Sequence, residues 1–443
     1  MTLNVDIPER LIRLCGSLHA NGQFCDHPCL FQRRHTLPLL TALASCQALA
    51  GGFALNEQSA SAMGTAFAGR SSSALDASTV YGNPAGMSYL GEQVSGGIAL
   101  INANSDISNA SSNFTGSNDG DMVPLTAIPF GYYVKPLDEN WHFGIGVYAP
   151  FGLATEYENN YQGRAFADKT DLSVVSIQPT LSYKLNEQWS FGAGITSNHA
   201  QGTLSSAVNP VPGFAPDGEF KVSGDDWGYG YNLGIMLQAT ASTRVGLAYR
   251  SKVDYRLEGD AENSKIANGA IPAGKYDGSL ALTTPETFEL SVTQQFDSQW
   301  TGYAGYTWTR WSRFQEVVIK SPSNASPKLQ NVVEEQNWHD TRSFATGLSY
   351  QLNPQWVLRS GIAFDPTPSN NTDRSPRIPS GDRYVFALGA GYSPTANLTL
   401  DVAYVYLQEE QVSVDKNDPE KGRYQADFNN SAHSIAAQAT WHF

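Results

Sequence analysis

The chain of 443 residues is short of charge: Asp, Glu, Lys and Arg make up 16% of it, against roughly a quarter in an ordinary soluble domain. Basic residues are the scarcer kind, 28 Lys and Arg against 42 Asp and Glu, for a formal net charge of −14. So acidic a chain lacks the basic footprint that nucleic acid requires, and no such partner is expected. Long apolar runs are missing as well. Without a stretch of about 18 consecutive apolar residues, a membrane-spanning helix is excluded. Cysteine is absent from residues 47–443, because Cys15, Cys25, Cys29 and Cys46 all precede them. No disulfide or thiolate metal site can exist there, and no metal or cofactor is expected. Catalytic patterns are lacking too: His142, His199, His339, His433 and His442 sit in no nucleophile motif, and neither G-x-S-x-G nor H-E-x-x-H occurs. An enzyme is therefore not expected.

What the chain has in quantity is glycine (40), tyrosine (21), phenylalanine (20) and tryptophan (9). Aromatics so evenly spread exclude disorder. From about residue 93 onward, apolar residues alternate with small or polar ones. Trp141, Phe143, Ile145 and Val147 alternate with His142, Gly144, Gly146 and Tyr148, and Leu398, Leu400, Val402, Tyr404 and Tyr406 repeat the pattern. Period two places one set on each face of a strand. In a soluble sandwich the outer set would be charged. Here the second set is Gly, Ala, Ser and Thr, which suits a lipid-facing apolar wall around a crowded lumen.

The connections alternate in length. Short turns fall at 135–141, 184–189, 238–244, 296–300, 351–356 and 393–398, and long polar stretches near 104–120, 152–170, 203–224, 257–276, 313–338, 365–382 and 409–426. Thirteen connections make fourteen strands, and an even count with short turns on one side and long loops on the other is the outer-membrane pattern. Trp141, Trp189, Trp300 and Trp356 close four of the short turns, where an aromatic girdle would meet the membrane interface. The alternating C-terminal run Ile435 to Phe443 resembles the assembly signal of outer-membrane barrels. The fold expected is all-β: a transmembrane antiparallel β-barrel of about 14 strands over residues 93–443.

Two further segments precede it. Residues 1–50 read as a leader ending in a Sec-type signal peptide: Arg33 and Arg34, an apolar stretch, and the small-x-small site Ala48-Leu49-Ala50. The mature chain then starts at Gly51. A lipoprotein-like box, Leu43-Ala44-Ser45-Cys46, offers a lipidated Cys46 as the alternative. Residues 51–92 are rich in Ala, Ser and Gly and too few to fold alone, so they are expected inside the lumen as an N-terminal hatch, or plug.

Residues 51–87 carry a resemblance: Gly52-Phe53-Ala54-Leu55-Asn56-Glu57, Gly64, Ala66-Phe67-Ala68-Gly69 and Asn83-Pro84-Ala85. Phe151 to Glu156, Thr284-Pro285-Glu286, Trp308-x-x-Trp311-Ser312-x-Phe314, Gly361 to Asp365 and Ile378-Pro379-x-x-Asp382-Arg383 continue it in order. Together these motifs resemble the outer-membrane long-chain fatty acid transporters of the FadL/TodX family. The resemblance implies energy-independent uptake: hydrophobic ligand enters among the extracellular loops, reaches a lumen pocket lined by Phe53 and Leu55, and leaves sideways into the bilayer. Asn83, Pro84 and Ala85 would hold the hatch, and Gly152, two residues after Pro150, would interrupt a strand at the exit. A monomer in the bacterial outer membrane is implied, surrounded by lipid and lipopolysaccharide.

One departure bears on the ligand. The family's fatty acid carriers pair the ligand carboxylate with basic lumen residues. Those positions fall near Ser206 and Glu334, and neither is basic. Arg164, Arg250, Arg310, Arg342 and Arg383 are the candidate replacements, each also readable as a salt-bridge partner for the many acids; Arg383 is taken as a ligand contact. Without the clamp, neutral hydrophobes such as monoaromatic hydrocarbons are the alternative cargo. The acidic loop residues Asp119, Asp121, Glu156, Glu158, Glu334, Glu335, Glu409 and Glu410 read as solvated charge, with cation bridging to lipopolysaccharide as the alternative.

Overall fold

The computed structural model describes residues 51–208, 217–264, 273–321, 331–419 and 421–443. The signal peptide, the Ala50–Gly51 cleavage and the lipidation of Cys46 concern residues 1–50, outside the described residues.

Fourteen antiparallel staves close into a barrel. They are β1 (Gln93–Ser112), β2 (Thr126–Pro136), β3 (Trp141–Glu156), β4 (Lys169–Lys184), β5 (Trp189–Val208), β6 (Gly218–Gln238), β7 (Thr243–Arg250 with Val253–Asn263) and β8 (Gly274–Thr284 with Thr287–Gln295). The remainder are β9 (Trp300–Thr309 with Glu316–Lys320), β10 (Asn331–Glu335 with Thr341–Asn353), β11 (Trp356–Asp365), β12 (Arg383–Thr395), β13 (Leu398–Glu409 with Val412–Asp418) and β14 (Gly422–His442). Closure is β1 against β14, in register from Gln93–His442 upward.

The wall is inside out relative to a soluble protein. Side chains facing outward are large and apolar, such as Ile98, Leu100, Ile195, Leu233, Phe386, Leu388, Val402 and Ile435, while Ser176, Gln178, Thr180, Asn232, Ser291, Asp401 and Gln438 are buried within. Only a hydrocarbon solvent stabilises that arrangement.

Four short turns share one device that the sequence reading missed. In Asp138-Glu-Asn-Trp141, Asn186-Glu-Gln-Trp189, Asp297-Ser-Gln-Trp300 and Asn353-Pro-Gln-Trp356, the first side chain accepts the backbone N–H of the third and fourth residues at 2.7–3.0 Å. These Asx turns hold the Asp138 and Asp297 carboxyls below the usual range, through the N–H groups of Trp141 and Trp300 first. Three of the tryptophans then pack on a tyrosine of the next stave: Trp141–Tyr183, Trp300–Tyr350 and Trp356–Tyr392, with ring centroids 4.8, 4.7 and 4.5 Å apart.

At the opposite end the staves overshoot. A membrane crossing needs about 9–11 residues, yet β5 has 20 and β6 and β14 have 21 each. The stretch 409–426, expected as a loop, is largely strand, β13 running to Asp418 and β14 starting at Gly422. Much of 203–224 is likewise a β5–β6 extension, paired as far as Val208–Gly218. These extensions hold an apolar layer of their own, Phe220, Val222, Ala261 and Ile319, so strand pairing remains favourable beyond the bilayer.

Candidate functional site

Residues 51–92 are mostly buried, packed against the staves. Their polar groups bond to the wall around its circumference. The Arg70 guanidinium meets Glu289 of β8 at 2.7 Å, Ser71 and Ser72 meet Ser291 and Thr293, and Gln438 of β14 accepts the Ala60 N–H at 3.0 Å. Asn83 starts a short 3₁₀ turn, Pro84–Tyr89, by accepting the Ala85 N–H, and its amide donates to the carbonyls of Ser71 (2.6 Å) and Ile235 (3.1 Å). This Asn83-Pro84-Ala85 turn lies flush on β5 and β6. A Cβ at Gly192 would come 2.4 Å from the Ala85 nitrogen, and one at Gly234 would come 2.0 Å from the Asn83 Oδ1, so those wall positions must be glycine.

The first residues of the segment do something different. β2 and β3 pair only over Gly131–Pro136 and His142–Val147, and between β3 and β4 the register slips between Tyr148 and Phe151. Above Val147, β3 therefore has an edge facing β2 with no ladder on it. Residues 53–58 bond that edge. Leu55 N–H donates to Pro150 O (2.8 Å), Gly152 N–H to Phe53 O (3.0 Å) and the Gln58 amide to Ala149 O (2.5 Å), with Ala54 bridged to Phe151. Pro150 brings no N–H of its own. Gly152 thus lies just past the slip, its N–H spent on the N-terminal segment.

Phe53 lines one cavity, and its neighbours Ala54, Phe151 and Trp311 line a second. Its ring lies within 4.8–5.9 Å of the rings of Trp311, Phe314, Trp338 and Phe151, an aromatic septum. On the long-loop side is an apolar cavity of about 60 Å³, walled by Phe53, Leu172, Leu204, Leu257, Leu282 and Phe314 among others, with Arg377 at its rim. On the deeper side lies a mixed cavity of about 120 Å³ that reaches Leu55, Arg70, Pro150, Phe151 and Arg250.

The predicted residues thus divide. Phe53, Leu55 and Gly152 come together at the septum and the β3 edge. Asn83, Pro84 and Ala85 lie apart on β5–β6. Arg383 lines neither cavity; it is buried, its Nε donating to Glu409 at 2.7 Å. Of the other arginines, Arg164 pairs with Asp217 and Arg310 with Glu286, Arg342 is exposed, and Arg250 lies over the Tyr81 ring while donating to the Tyr81 and Gly82 carbonyls. Ser206 is buried in the β5 extension, paired with Phe220. Glu334 and Glu409, read as solvated loop charge, are instead buried in ion pairs with Arg377 and Arg383. Arg377 was missed, although it directly precedes the quoted motif at Ile378; nothing in a single sequence says that the 366–382 loop turns inward.

Residues 41–443 match the model of the family described as outer membrane protein transport protein (OMPP1/FadL/TodX). The chain belongs to this family. A solved FadL homologue from Pseudomonas aeruginosa superimposes with a TM-score of 0.81 at 25% identity, covering 88% of this chain and 100% of that one. The long-chain fatty acid transport protein of Escherichia coli O6:H1 is 30% identical over 415 residues, 86% of this chain and 92% of the relative. Outer membrane protein P1 of Haemophilus influenzae is 32% identical over 413 residues, 84% and 88% of the two chains. The toluene transporter TodX of Pseudomonas putida shares the fold, with a TM-score of 0.66 at 20% identity over 88% of this chain and 99% of that one. Like its FadL/TodX relatives, the chain is an outer-membrane transporter of hydrophobic compounds and not an enzyme.

Proposed function

We propose that the chain takes up long-chain fatty acids by diffusion, without an energy source, through the apolar cavity, a displacement of residues 51–58 acting as a hatch, and lateral exit at the β3 edge. The observation that carries this reading is that Phe53 walls the ligand cavity while its own carbonyl, and the N–H of Leu55, bond the exposed edge of β3. A ligand that displaces the ring must pull on the bonds that fill the wall. Lateral release also keeps apolar surface out of water, at about 0.8 kcal/mol for each CH₂. Each chain closes its own barrel, so it works as a monomer, with lipid and lipopolysaccharide as its surroundings.

The length of the fatty acid relatives' match and the 0.81 TM-score to a FadL homologue support this cargo. A second reading, neutral hydrocarbons, is favoured by one observation: Ser206 and Glu334 supply no cation, and Arg377 is already paired. The test is uptake of labelled oleate and of labelled toluene by cells lacking their own transporter, with and without the chain. Oleate uptake restored by the chain and reduced by Phe53→Ala supports fatty acid transport. Toluene uptake alone, from a correctly inserted barrel, transfers the assignment to neutral hydrocarbons.

A further inference from the structure

Arg377 is a cation at the edge of an apolar cavity, and its two edges are held differently. Nη1 donates to the carbonyls of Lys169 (3.2 Å) and Ser205 (2.9 Å) and to the Thr170 hydroxyl (3.2 Å), which fixes the guanidinium to β4 and β5. The Nε–Nη2 edge faces a single carboxylate, Glu334, at 3.0 and 3.4 Å. The pair is nearly enclosed, with side-chain exposures of 7% and 15%. Glu334 also has a second partner waiting. Lys421 Nζ lies 3.6 Å from Oε1, the oxygen that Arg377 Nη2 also reaches, and remains 30% exposed. Burial raises the Glu334 carboxyl, but the charges of Arg377 and Lys421 outweigh it and hold the group below its ordinary value, so it is an anion at neutral pH. Lys416, half-buried and bonded through Nζ to the Asp373 carbonyl at 2.7 Å, lies within electrostatic reach of Glu334.

We propose that Glu334 is an internal stand-in for the cargo's headgroup: a fatty acid carboxylate takes over the Nε–Nη2 edge of Arg377, and Glu334 turns to Lys421. This rests on the fatty acid reading above and names the cation that serves it. The physical reason is conservation of pairing. Stripping one partner from a buried ion pair is strongly unfavourable, whereas exchanging one carboxylate for another leaves no charge uncompensated. The guanidinium fork accepts either carboxylate in the same bidentate geometry. A neutral cargo offers no replacement and leaves Glu334 where it is, so the pair selects for an acid group without standing open to solvent.

The test is ligand titration of the purified full-length protein in detergent, followed by intrinsic tryptophan fluorescence, since Trp311 and Trp338 border the septum. Oleate and methyl oleate are compared, two chains that differ only in the charge of the headgroup. Glu334→Gln removes the competitor and is expected to tighten oleate about tenfold, a change of the size one charge-assisted hydrogen bond commands, with methyl oleate unchanged within about twofold. Lys421→Met, at a position 30% exposed, removes the alternative partner and is expected to weaken oleate alone. Arg377→Met should erase the preference for the acid over the ester. Unchanged or weakened oleate binding in Glu334→Gln, or parallel shifts of both ligands in Lys421→Met, overturns the exchange. If the native protein binds neither oleate nor its ester but does bind toluene, the fatty acid reading itself fails, and the exchange falls with it.

Discussion

At the scale of single residues, Phe53 and Glu57 show how the N-terminal segment is held and how it can be released. Phe53 packs in a cage of two tryptophans and two phenylalanines, and aromatic pairs of this kind add to the area they bury. Phe53→Ala would cost the seating of the segment about 3–5 kcal/mol. Because the barrel ladder does not depend on Phe53, the variant is expected to insert and to keep its heat-modifiable migration while losing most of its ligand uptake. Glu57, four residues on, belongs to the N-terminal segment and not to a stave. Burial pushes its carboxyl up to about 7, in spite of the nearby Arg383 and Arg70 charges. The folded state therefore holds a proton that the released segment gives up between the ordinary glutamate value and about 7, so seating is firmest at acidic pH and weakens as pH rises through that window. The shift corresponds to about 3 kcal/mol at most. Hydrogen–deuterium exchange of residues 53–58 is expected to be faster at pH 8 than at pH 5 in the native chain, and pH-independent in Glu57→Gln beyond the intrinsic exchange chemistry.

At the scale of the element, β3 and the N-terminal segment share a ladder. Gly152→Pro deletes the N–H that reaches Phe53 O, and Leu55→Pro deletes the one that reaches Pro150 O. Each removes a backbone bond of about 1 kcal/mol and brings in a ring that crowds its partner. Both are expected to speed exchange across 53–58 and to lower uptake, with exchange in β10–β14 unchanged. Strand count and face were legible beforehand because period two and the short/long alternation are written along each stave: residues 398–406 read correctly one at a time. The site was only half legible. Phe53 and Gly152 were named through a motif, but the slip between Tyr148 and Phe151, beside which they lie, is a property of three staves at once. The Asx turns before Trp141, Trp189, Trp300 and Trp356 were in plain view as a repeated [Asp/Asn]-x-[Asn/Gln]-Trp, and only the tryptophans were noticed. The stretch 409–426 was taken for loop because its side chains are polar. Out of the bilayer a β-hairpin needs no apolar outer face, so the periodicity that marks the membrane staves disappears there while the backbone pairing continues.

At the scale of the whole molecule, the question is how much of the lumen must move. Residues 59–92 bond to β4, β5, β6, β8 and β14 through Ser88, Ala85, Asn83, Arg70 and Ala60 among others, whereas the backbone bonds of residues 53–58 to the wall go to β3, with one side-chain bond from Tyr132 of β2. Releasing the whole segment would break bonds on nearly every side, including the buried Arg70–Glu289 pair, whose loss alone is strongly unfavourable. Moving 51–58 alone breaks a few bonds and empties the Phe53 cage. The uptake route proposed above therefore calls for a local displacement of residues 51–58 within a barrel that stays closed elsewhere. The absence of cysteine after residue 46 makes this directly testable. Ala54 and Phe151 face each other as bridge partners, so Ala54→Cys with Phe151→Cys places two thiols at the spacing of antiparallel neighbours, within reach of a disulfide. Oxidation is expected to abolish uptake and reduction to restore it, with either single cysteine insensitive to the redox state. A control pair that ties residue 72 to residue 293 of β8, positions already joined through Ser72 and Thr293 at 2.8 Å, should transport equally well oxidised or reduced. If that distal lock also stops uptake, the moving part is the whole segment and not its first eight residues.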